Sequence, residues 1–329
     1  MPERLGSPRE TPLFERVALV GLGLIGSSIA RATRHLNLAR SIVAVDASET
    51  VVERVRELGI ADEATTDVAA GVRDADLVIL CVPVGVCGTV AEAMRAGLKP
   101  GCIVSDVGSV KASVIGQVQP HLPDGVSFVP AHPVAGTEHS GPDAGFSTLF
   151  HNRWCILTPP EGTDETAIES VRAFWEAMGS NVEVMTAQHH DLVLAITSHV
   201  PHLIAYNIVG TAADLETVTQ GEVIKFSAGG FRDFTRIAAS DPTMWRDVFL
   251  HNKDAVLEML AQFNEDLAKL TRAMRRGDGD ALFDHFTRTR AIRRGIVQIG
   301  QDSAAPDFGR AHPAKDMSPI ARPYAADSE

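Results

Sequence analysis

The sequence predicts an α/β fold in which a doubly wound parallel sheet precedes an all-helical domain. From residue 17 to 185, short β-branched apolar runs alternate with helical stretches, the pattern of a parallel sheet covered on both faces. A glycine-rich turn, GLGLIG at 21–26, follows the first of these runs. After residue 185 the strand pattern stops and amphipathic helical periodicity takes over.

The predicted strands are short apolar runs rich in β-branched residues: 17–21, 42–46, 77–81, 103–106, 128–129, 154–158 and 182–185. The helices between them are predicted from apolar positions at helical spacing: 24–36, 49–58, 86–98, 112–119 and 165–178. The same periodicity predicts four helices in the second half: 187–210, 242–264, 265–276 and 281–298. The second of these has a clear start, because Asp241 is a good N-cap and Pro242 suits the first helical turn.

Composition excludes several classes of function. The 329 residues carry a formal net charge of −12 and a pI near 5.5, which opposes broad attraction to nucleic acid or to an anionic membrane. No apolar run reaches the roughly 18 residues that span a bilayer, and the chain does not start like a signal peptide, so we expect a cytoplasmic protein. The cysteines lack metal-ligand spacing, so we expect buried reduced thiols and no metal. They are Cys81, Cys87, Cys102 and Cys155.

The glycine turn has the Gly-x-Gly-x-x-Gly spacing of a dinucleotide site between a buried strand and a helix, which makes the sheet Rossmann-like. Gly21 permits the tight turn, Gly23 lets the backbone approach a pyrophosphate, and Gly26 allows close packing of helix on strand. The N–H groups at the helix start, at Leu24 and Ile25, would bind the phosphates.

Asp46 ends the second predicted strand, 20 residues after Gly26, which is close to the spacing expected for the acid that accepts the adenosine ribose hydroxyls. A carboxylate there would repel the 2′-phosphate of NADP, so we expect NAD as the cofactor. The alternative is that Asp46 only caps the helix after it.

A candidate catalytic base follows the fifth predicted strand. His132 lies between that apolar strand and a proline, so we expect it at the carboxyl end of a strand, facing the cofactor crevice. Ser109, at the end of the strand before, could orient the imidazole through a hydrogen bond. The alternative is a histidine that serves only as a structural hydrogen-bonding group.

The helical half contains two further histidine pairs. Pro201 interrupts a predicted helix and frees carbonyl groups near His199 and His202, which indicates a site, although a packed helix with partly exposed histidines is the alternative. His189 and His190 are adjacent, so their side chains point in different directions and a shared metal is not expected. We expect both on the surface.

Arg232 and Arg236 are four residues apart, so a helical turn would place two guanidinium groups on one face. A bound carboxylate would relieve their repulsion and accept two parallel hydrogen bonds. The alternative for Arg232 is a salt bridge with Asp233 or Asp241. Together with His132, these residues indicate hydride abstraction from a hydroxylated carbon of a small carboxylic acid.

These motifs resemble those of the prephenate/arogenate dehydrogenase family, whose members oxidatively decarboxylate a cyclohexadienyl ring with NAD(P). The resemblance covers about residues 17–299 and rests on five ordered motifs. They are the glycine turn and the segments 106–111, 132–138, 198–202 and 233–236 with 240–245. The segment 138–155 looks most like the bacterial cyclohexadienyl dehydrogenases, which accept both prephenate and arogenate.

The resemblance implies a role for each site residue. His132 would accept the hydrogen bond of the ring hydroxyl, Ser109 would align His132 and the nicotinamide, and Arg236 would bind the ring carboxylate. His202 and Trp245 would lie near the substrate side chain.

The resemblance also implies that His199 belongs to the substrate pocket, that Glu138 governs access to it, and that Asp233 supports the basic loop. The helical half would form the interface of a homodimer. The predicted domains are a flexible N-terminus, a dinucleotide-binding domain, a helical substrate and dimerisation domain, and a disordered tail: 1–15, 16–186, 187–300 and 301–329.

Two other functions fit parts of the sequence. A β-hydroxyacid dehydrogenase also has a glycine turn followed by helices, but it requires a lysine on a glycine-containing helix, and the nearest candidate, Lys253, lacks flanking glycines. A non-catalytic protein that senses the dinucleotide would leave His132, Ser109 and Arg236 without a common task.

Overall fold

The structure is a computed structural model that describes residues 6–137, 139–219 and 229–298. Within the described residues, six strands form one parallel sheet: β1 Phe14–Val20, β2 Ala39–Val45, β3 Glu63–Thr65, β4 Leu77–Leu80, β5 Ile103–Asp106 and β6 Ser127–Phe128. Their order is β3-β2-β1-β4-β5-β6, so the chain first moves outward from β1 and then crosses to β4. Such a reversal opens a ligand crevice at the carboxyl ends of the two central strands. The predicted α/β class is confirmed.

The helices of this first half are α1 Leu24–Leu36, α2 Glu49–Leu58, α3 Val68–Gly71, α4 Cys87–Met94, α5 Lys111–Val118 and α6 Glu165–Ala177. Successive strand residues alternate between two apolar cores, because side chains along a strand point to opposite faces. In β1, Val17 and Leu19 join the core shared with α1 and α6, whereas Ala18 and Val20 join the core shared with α4 and α5. Burial on both faces explains why the central strands are continuously apolar in sequence.

The last two predicted strands lie outside the parallel sheet. A second sheet contains β7 Ala131–Pro133, β8 Trp154–Leu157 and β9 Asn181–Val184, with β7 antiparallel to β8. The expectation of a single sheet was therefore wrong. Pro130 has no N–H for the parallel ladder after β6, and its carbonyl instead accepts a 2.9 Å hydrogen bond from the N–H of Thr158, next to β8.

The described part of the second half is helical, as predicted: α7 Ala187–Leu194, a π-helical turn Ala195–His199, α8 Val200–Thr219, α9 Gly229–Thr235, a 3₁₀ turn Arg236–Ala239, α10 Pro242–His251, α11 Lys253–Arg276 and α12 Gly279–Gln298. Asp241 caps α10 by accepting a 2.8 Å hydrogen bond from the N–H of Met244. The predicted break after residue 264 was wrong, because the helix is interrupted at Asn252 instead. By contacts, the chain divides into the compact units Met1–Ala268 and Lys269–Glu329. The predicted tail, 301–329, lies outside the described residues.

One helical segment, Ala187–Leu215, is long and apolar enough to span a membrane by length and composition, contrary to the sequence expectation. The expectation counted unbroken apolar runs, whereas this segment contains isolated polar residues. Three of those polar residues, His190, Asp191 and His199, are buried and hydrogen-bonded to other side chains of the protein.

Candidate active site

The glycine turn lies between β1 and α1, at the point where the strand order reverses. Gly21 has a φ of +98°, and a Cβ there would lie 2.6 Å from the carbonyl oxygen of Cys81. A Cβ at Gly26 would overlap the carbonyl oxygen of Gly21. A Cβ at Gly23 would meet no described atom within 4 Å. The fold itself therefore requires two of the glycines, and the third leaves the backbone open to a ligand.

The start of α1 has hydrogen-bond donors available for a phosphate. Gly23 is the N-cap and no side chain caps the first turn, so the N–H groups of Leu24 and Ile25 have no capping acceptor in the described residues. The first turn also contains no acidic residue. This geometry fits the pyrophosphate of a dinucleotide.

Asp46 follows β2 and faces the glycine turn. Its Oδ2 accepts a 2.8 Å hydrogen bond from the N–H of Leu22, and its Oδ1 accepts one of 3.0 Å from the N–H of Ser48. The N-cap of α2 is Ser48, whose hydroxyl accepts from the N–H of Val51, so capping that helix is not the task of Asp46. Each carboxylate oxygen retains an acceptor site for a ribose hydroxyl.

His132 lies in β7, is buried, and is the first of three linked side chains. Its Nδ1 is 2.8 Å from Nε2 of His190, and Nδ1 of His190 is 2.8 Å from Oδ1 of Asp191. The expectation that His190 lies on the surface was wrong, because its side chain is fully buried, whereas that of His189 is exposed. The only hint in the sequence was a His-Asp pair near the start of an otherwise apolar helix.

Asp191 also holds the start of α5. Its two oxygens accept hydrogen bonds of 2.8 and 2.9 Å from the N–H groups of Lys111 and Ala112. The Lys111 side chain is fully buried and donates to Oδ2 of Asp106 at 2.5 Å and to the carbonyl of Ala131 at 2.7 Å. Lys111 thus binds Ala131, the residue before His132, through its side chain, and it binds Asp191 through its backbone.

Burial keeps both imidazoles neutral. Loss of solvent lowers the pKa of His132 well below its usual value, and the nearby His190 and Lys111 lower it further. Burial also lowers the pKa of His190, although the hydrogen bond to Asp191 opposes this. Burial raises the pKa of the Asp106 carboxyl, and the Lys111 ammonium opposes the shift.

Ser109 lies half-buried in the turn that follows β5. The Nδ1 atom of His132 is hydrogen-bonded to His190, so any bond from Ser109 would have to use the other ring nitrogen. The alignment of His132 by Ser109 stays a prediction, and a bond from Ser109 to Nε2 would compete with a substrate hydroxyl for that nitrogen.

The residues expected near the substrate side chain form a second group around Trp245, on α10. The His202 ring stacks on the indole with centroids 3.7 Å apart and an angle of 23°, and the His199 ring meets it edge-on at 6.0 Å. Nδ1 of His202 donates a 2.8 Å hydrogen bond to the carbonyl of Ser198. Burial lowers the pKa of His202, the hydrogen bond to Ser198 opposes this shift, and the charge of Arg236 lowers the pKa further.

Two hydrogen-bond donors in this group are buried without a partner. The side-chain amide of Asn252 donates to Nδ1 of His199 at 3.0 Å and to the carbonyl of Asp191 at 2.9 Å. Neutral His199 therefore carries its proton on Nε2, and burial lowers its pKa to about 4. That Nε2 and Nε1 of Trp245 have no hydrogen-bond partner among the described residues. Buried orphan donors are uncommon and suit a ligand with acceptor oxygens.

Four expected residues remain, of which the structure describes three. Arg236 is exposed at the start of the 3₁₀ turn, and Asp233 is exposed on α9. Arg232 forms no salt bridge with Asp233 or Asp241 among the described residues, so the structural alternative for this arginine has no support there. Glu138 lies outside the described residues.

Comparison with known proteins gives a consistent result. Residues 29–184 match the family model of the prephenate dehydrogenase nucleotide-binding domain, and residues 186–288 match that of the prephenate dehydrogenase dimerization domain. The chain belongs to the prephenate dehydrogenase family. Cyclohexadienyl dehydrogenase of Zymomonas mobilis is 46% identical over 281 residues, which cover 85% of this chain and 96% of that protein.

Solved structures of the family superpose along most of the chain. Prephenate dehydrogenase of Aquifex aeolicus in complex with hydroxyphenyl propionate and NAD+ is 33% identical with a TM-score of 0.81, covering 86% of this chain and 98% of that one. Synechocystis arogenate dehydrogenase is 26% identical with a TM-score of 0.73, covering 85% and 99%. The family expected from the sequence motifs is confirmed.

Proposed function

We propose that this chain catalyses the NAD-dependent oxidative decarboxylation of prephenate to 4-hydroxyphenylpyruvate, of arogenate to tyrosine, or of both. The family is shown by sequence, and the similar proteins include a cyclohexadienyl, a prephenate and an arogenate dehydrogenase. The observation that carries the proposal is the buried, neutral His132, linked to His190 within the same compact unit as the glycine turn. A buried neutral imidazole is suited to accept a hydroxyl proton.

The cofactor proposal rests on the glycine turn and Asp46. The open backbone at Gly23 and the N–H groups of Leu24 and Ile25 would hold the pyrophosphate, and Asp46 would accept the ribose hydroxyls. The fixed carboxylate favours NAD over NADP. When bound, NAD supplies the ring that accepts the hydride.

His132 acts on the ring hydroxyl. As the hydride leaves the hydroxyl-bearing carbon, the hydroxyl proton passes to His132 and a carbonyl forms. Loss of the ring carboxylate as carbon dioxide sends its bonding electrons into the ring, which becomes an aromatic phenolate. The overall conversion to a phenol releases no net proton, so His132 can return the proton to the same oxygen.

We infer that Arg236 binds the ring carboxylate, with Ser109, His199, His202 and Trp245 completing the pocket. Asp233 and Glu138 keep their predicted supporting roles as proposals. Tight binding of the carboxylate stabilises the ground state and opposes its departure, so Arg236 serves binding more than chemistry. Aromatisation of the ring provides the driving force.

We infer a homodimer formed through the helices, because residues 186–288 match the family's dimerization domain. Large apolar side chains are exposed on these helices: Ile208, Val209, Leu250, Leu257, Leu267, Met274, Phe283, Phe286 and Ile292. Such exposed apolar surface is typical of a protein interface. Because the apolar segment Ala187–Leu215 lies entirely within this domain, we infer that it packs in the protein and that the enzyme acts in the cytoplasm.

Mixing the enzyme with NAD and either prephenate or arogenate tests the proposal through the absorbance of reduced nicotinamide. We expect a signal with at least one substrate, together with equimolar carbon dioxide. Reduced nicotinamide without carbon dioxide would favour a simple hydroxyacid dehydrogenase, and no signal with either substrate would favour a dinucleotide-sensing protein.

A further inference from the structure

We propose that Asp191 and His190 are positioning residues that hold His132 in the tautomer with its proton on Nδ1 and its lone pair on Nε2. The inference rests on the proposed role of His132 as proton acceptor and adds two residues that lie outside the sequence motifs named above. Nε2 of His132 is then the atom that meets the substrate hydroxyl.

The direction of the hydrogen-bond chain follows from Asp191. Its oxygens already accept from two backbone N–H groups, those of Lys111 and Ala112, at the start of α5. Both oxygens of Asp191 thus act as acceptors, as those of a carboxylate do. An ionised carboxylate only accepts hydrogen bonds, so Nδ1 of His190 must be the donor across the 2.8 Å contact.

The positions of the other ring protons follow because both imidazoles are neutral. A neutral imidazole carries one proton, so Nε2 of His190 is an acceptor and Nδ1 of His132 must donate to it across 2.8 Å. The lone pair of His132 is thus fixed on Nε2. Burial, which lowers the pKa of both rings, keeps this single arrangement populated at neutral pH.

The hydrogen bonds from His132 through His190 to Asp191 also stabilise the protonated His132 that forms during the reaction. When Nε2 of His132 takes the hydroxyl proton, the new imidazolium donates through Nδ1 to His190, whose other nitrogen faces the Asp191 carboxylate. The proton then returns from Nε2 to the phenolate oxygen, so no proton needs to leave the chain. A hydrogen bond from a charged donor is stronger than a neutral one, which favours the proton-accepting step.

Asp191→Asn gives the sharpest test, because it changes one oxygen to a nitrogen. Oδ1 of Asp191 accepts from both the N–H of Lys111 and Nδ1 of His190, and Oδ2 accepts from the N–H of Ala112. An Asn side chain in either orientation therefore turns its NH₂ group toward a backbone N–H of α5 and cannot keep all three bonds. The acceptor that fixes Nδ1 of His190 as the donor is weakened, so a share of His132 takes the tautomer with its proton on Nε2. We expect kcat to fall about tenfold or more with little change in KM, because only part of the enzyme then holds His132 in the productive tautomer.

The tautomers can be measured directly in the full-length protein labelled with ¹⁵N-histidine. Long-range ¹H–¹⁵N spectra distinguish protonated from unprotonated ring nitrogens. We expect the proton of His132 on Nδ1 in the wild-type enzyme and distributed between Nδ1 and Nε2 in Asp191→Asn. A purely structural role for Asp191 would leave the tautomer unchanged.

A second pair of variants covers the case in which Asp191→Asn fails to fold. His190→Leu leaves Nδ1 of His132 without an acceptor, whereas the side-chain oxygen of His190→Gln can replace that acceptor. We expect His190→Gln to recover about tenfold or more of the kcat lost in His190→Leu. His189→Leu, at the exposed neighbouring position, is the matched control and should retain wild-type kcat.

The outcomes separate this inference from the proposed function. If His132→Asn retains turnover, His132 is not the proton acceptor and the proposed function fails. If His132→Asn is inactive while both His190 variants and Asp191→Asn keep wild-type kcat, only the positioning chain is refuted. Equal losses in His190→Gln and His190→Leu would also refute it.

Discussion

The buried ion pair between Lys111 and Asp106 lies next to the residue before His132, and breaking it should lower the free energy of unfolding. Both side chains are fully buried, and Nζ of Lys111 lies 2.5 Å from Oδ2 of Asp106 and 2.7 Å from the carbonyl of Ala131. Lys111→Met keeps the length of the side chain and removes its charge. The variant leaves the Asp106 carboxylate and the Ala131 carbonyl buried without their donor.

Breaking a buried pair from one side costs about 3–5 kcal/mol of unfolding free energy, because the remaining charge stays desolvated. Removing both charges should cost much less. We therefore expect Asp106→Asn/Lys111→Met to recover most of the loss, since the Asn side chain can still accept from the N–H of Gly108 as Asp106 does at 2.7 Å. Urea denaturation of the wild type, the two single variants and the double variant measures the coupling.

The loss in Lys111→Met should depend on pH. Burial raises the pKa of Asp106 in the folded protein even with the lysine present, so removing the ammonium raises it further. A carboxyl whose folded pKa exceeds its unfolded value favours folding below the unfolded pKa and loses this contribution as pH rises through the folded pKa. The loss of unfolding free energy in Lys111→Met should thus be smaller at about pH 5 than at about pH 8. A deficit below about 1 kcal/mol, or one that is equal at both pH values and persists in the double variant, would refute the argument.

Three further predictions concern catalysis. Arg236→Ala should raise KM about 30-fold, the equivalent of about 2 kcal/mol for a charge-assisted hydrogen bond, with a smaller effect on kcat. His132→Asn should mainly lower kcat. Steady-state kinetics in which Arg236→Ala mainly lowers kcat and His132→Asn mainly raises KM would contradict these roles. Asp46→Ala should lower the KM for NADP relative to NAD, and an unchanged ratio would mean that another group discriminates. Since burial lowers the pKa of His132 well below its usual value, kcat/KM should stay constant as pH falls through about 6.5 and decline only below it; a limb centred at the usual histidine pKa would contradict this.

The sequence predicted the parallel sheet well because each central strand is buried on both faces and therefore apolar throughout. The start and end of α1 and α2 were predicted to the residue, since glycine, asparagine and serine mark their termini. The short strands β3 and β7 were missed because three residues carry too little periodicity. Placing β8 and β9 in the main sheet was wrong because local patterns do not reveal which strands pair.

The candidate site shows the same division between local and tertiary information. His132 was expected at the carboxyl end of the apolar strand before it, whereas the structure places it inside β7 of the second sheet, because Pro130 ends the parallel ladder. His190 was placed on the surface because adjacent histidines point apart on a helix, which correctly described His189 but could not show which of the two faces inward. The contact of His190 with His132 spans 58 residues, and only the tertiary fold brings them together.

Pro201 was expected to kink the helix, and the structure has a different irregularity at this position. The π-helical turn Ala195–His199 precedes it, and such a turn acts as a one-residue insertion in an α-helix. At about 100° per residue, the 12 positions from His190 to His202 would place them roughly 120° apart on a regular helix, whereas one inserted residue reduces this to roughly 20°. The turn therefore brings His190, which binds His132, and His202, which stacks on Trp245, to the same face.

This phase argument predicts that one residue can be deleted from the π turn without loss of the fold. Ile196 is 44% exposed, so deleting it together with Pro201→Ala should convert the turn to regular α-helix and leave both histidines on one face. We expect cooperative unfolding and measurable dehydrogenase activity. Deleting the exposed Glu169 from the regular helix α6 is the matched control, because it rotates the buried Phe174 and Trp175 by about 100° out of the core and should abolish folding. If the two deletions are equally damaging, the π turn is not a one-residue insertion that sets the phase of this helix.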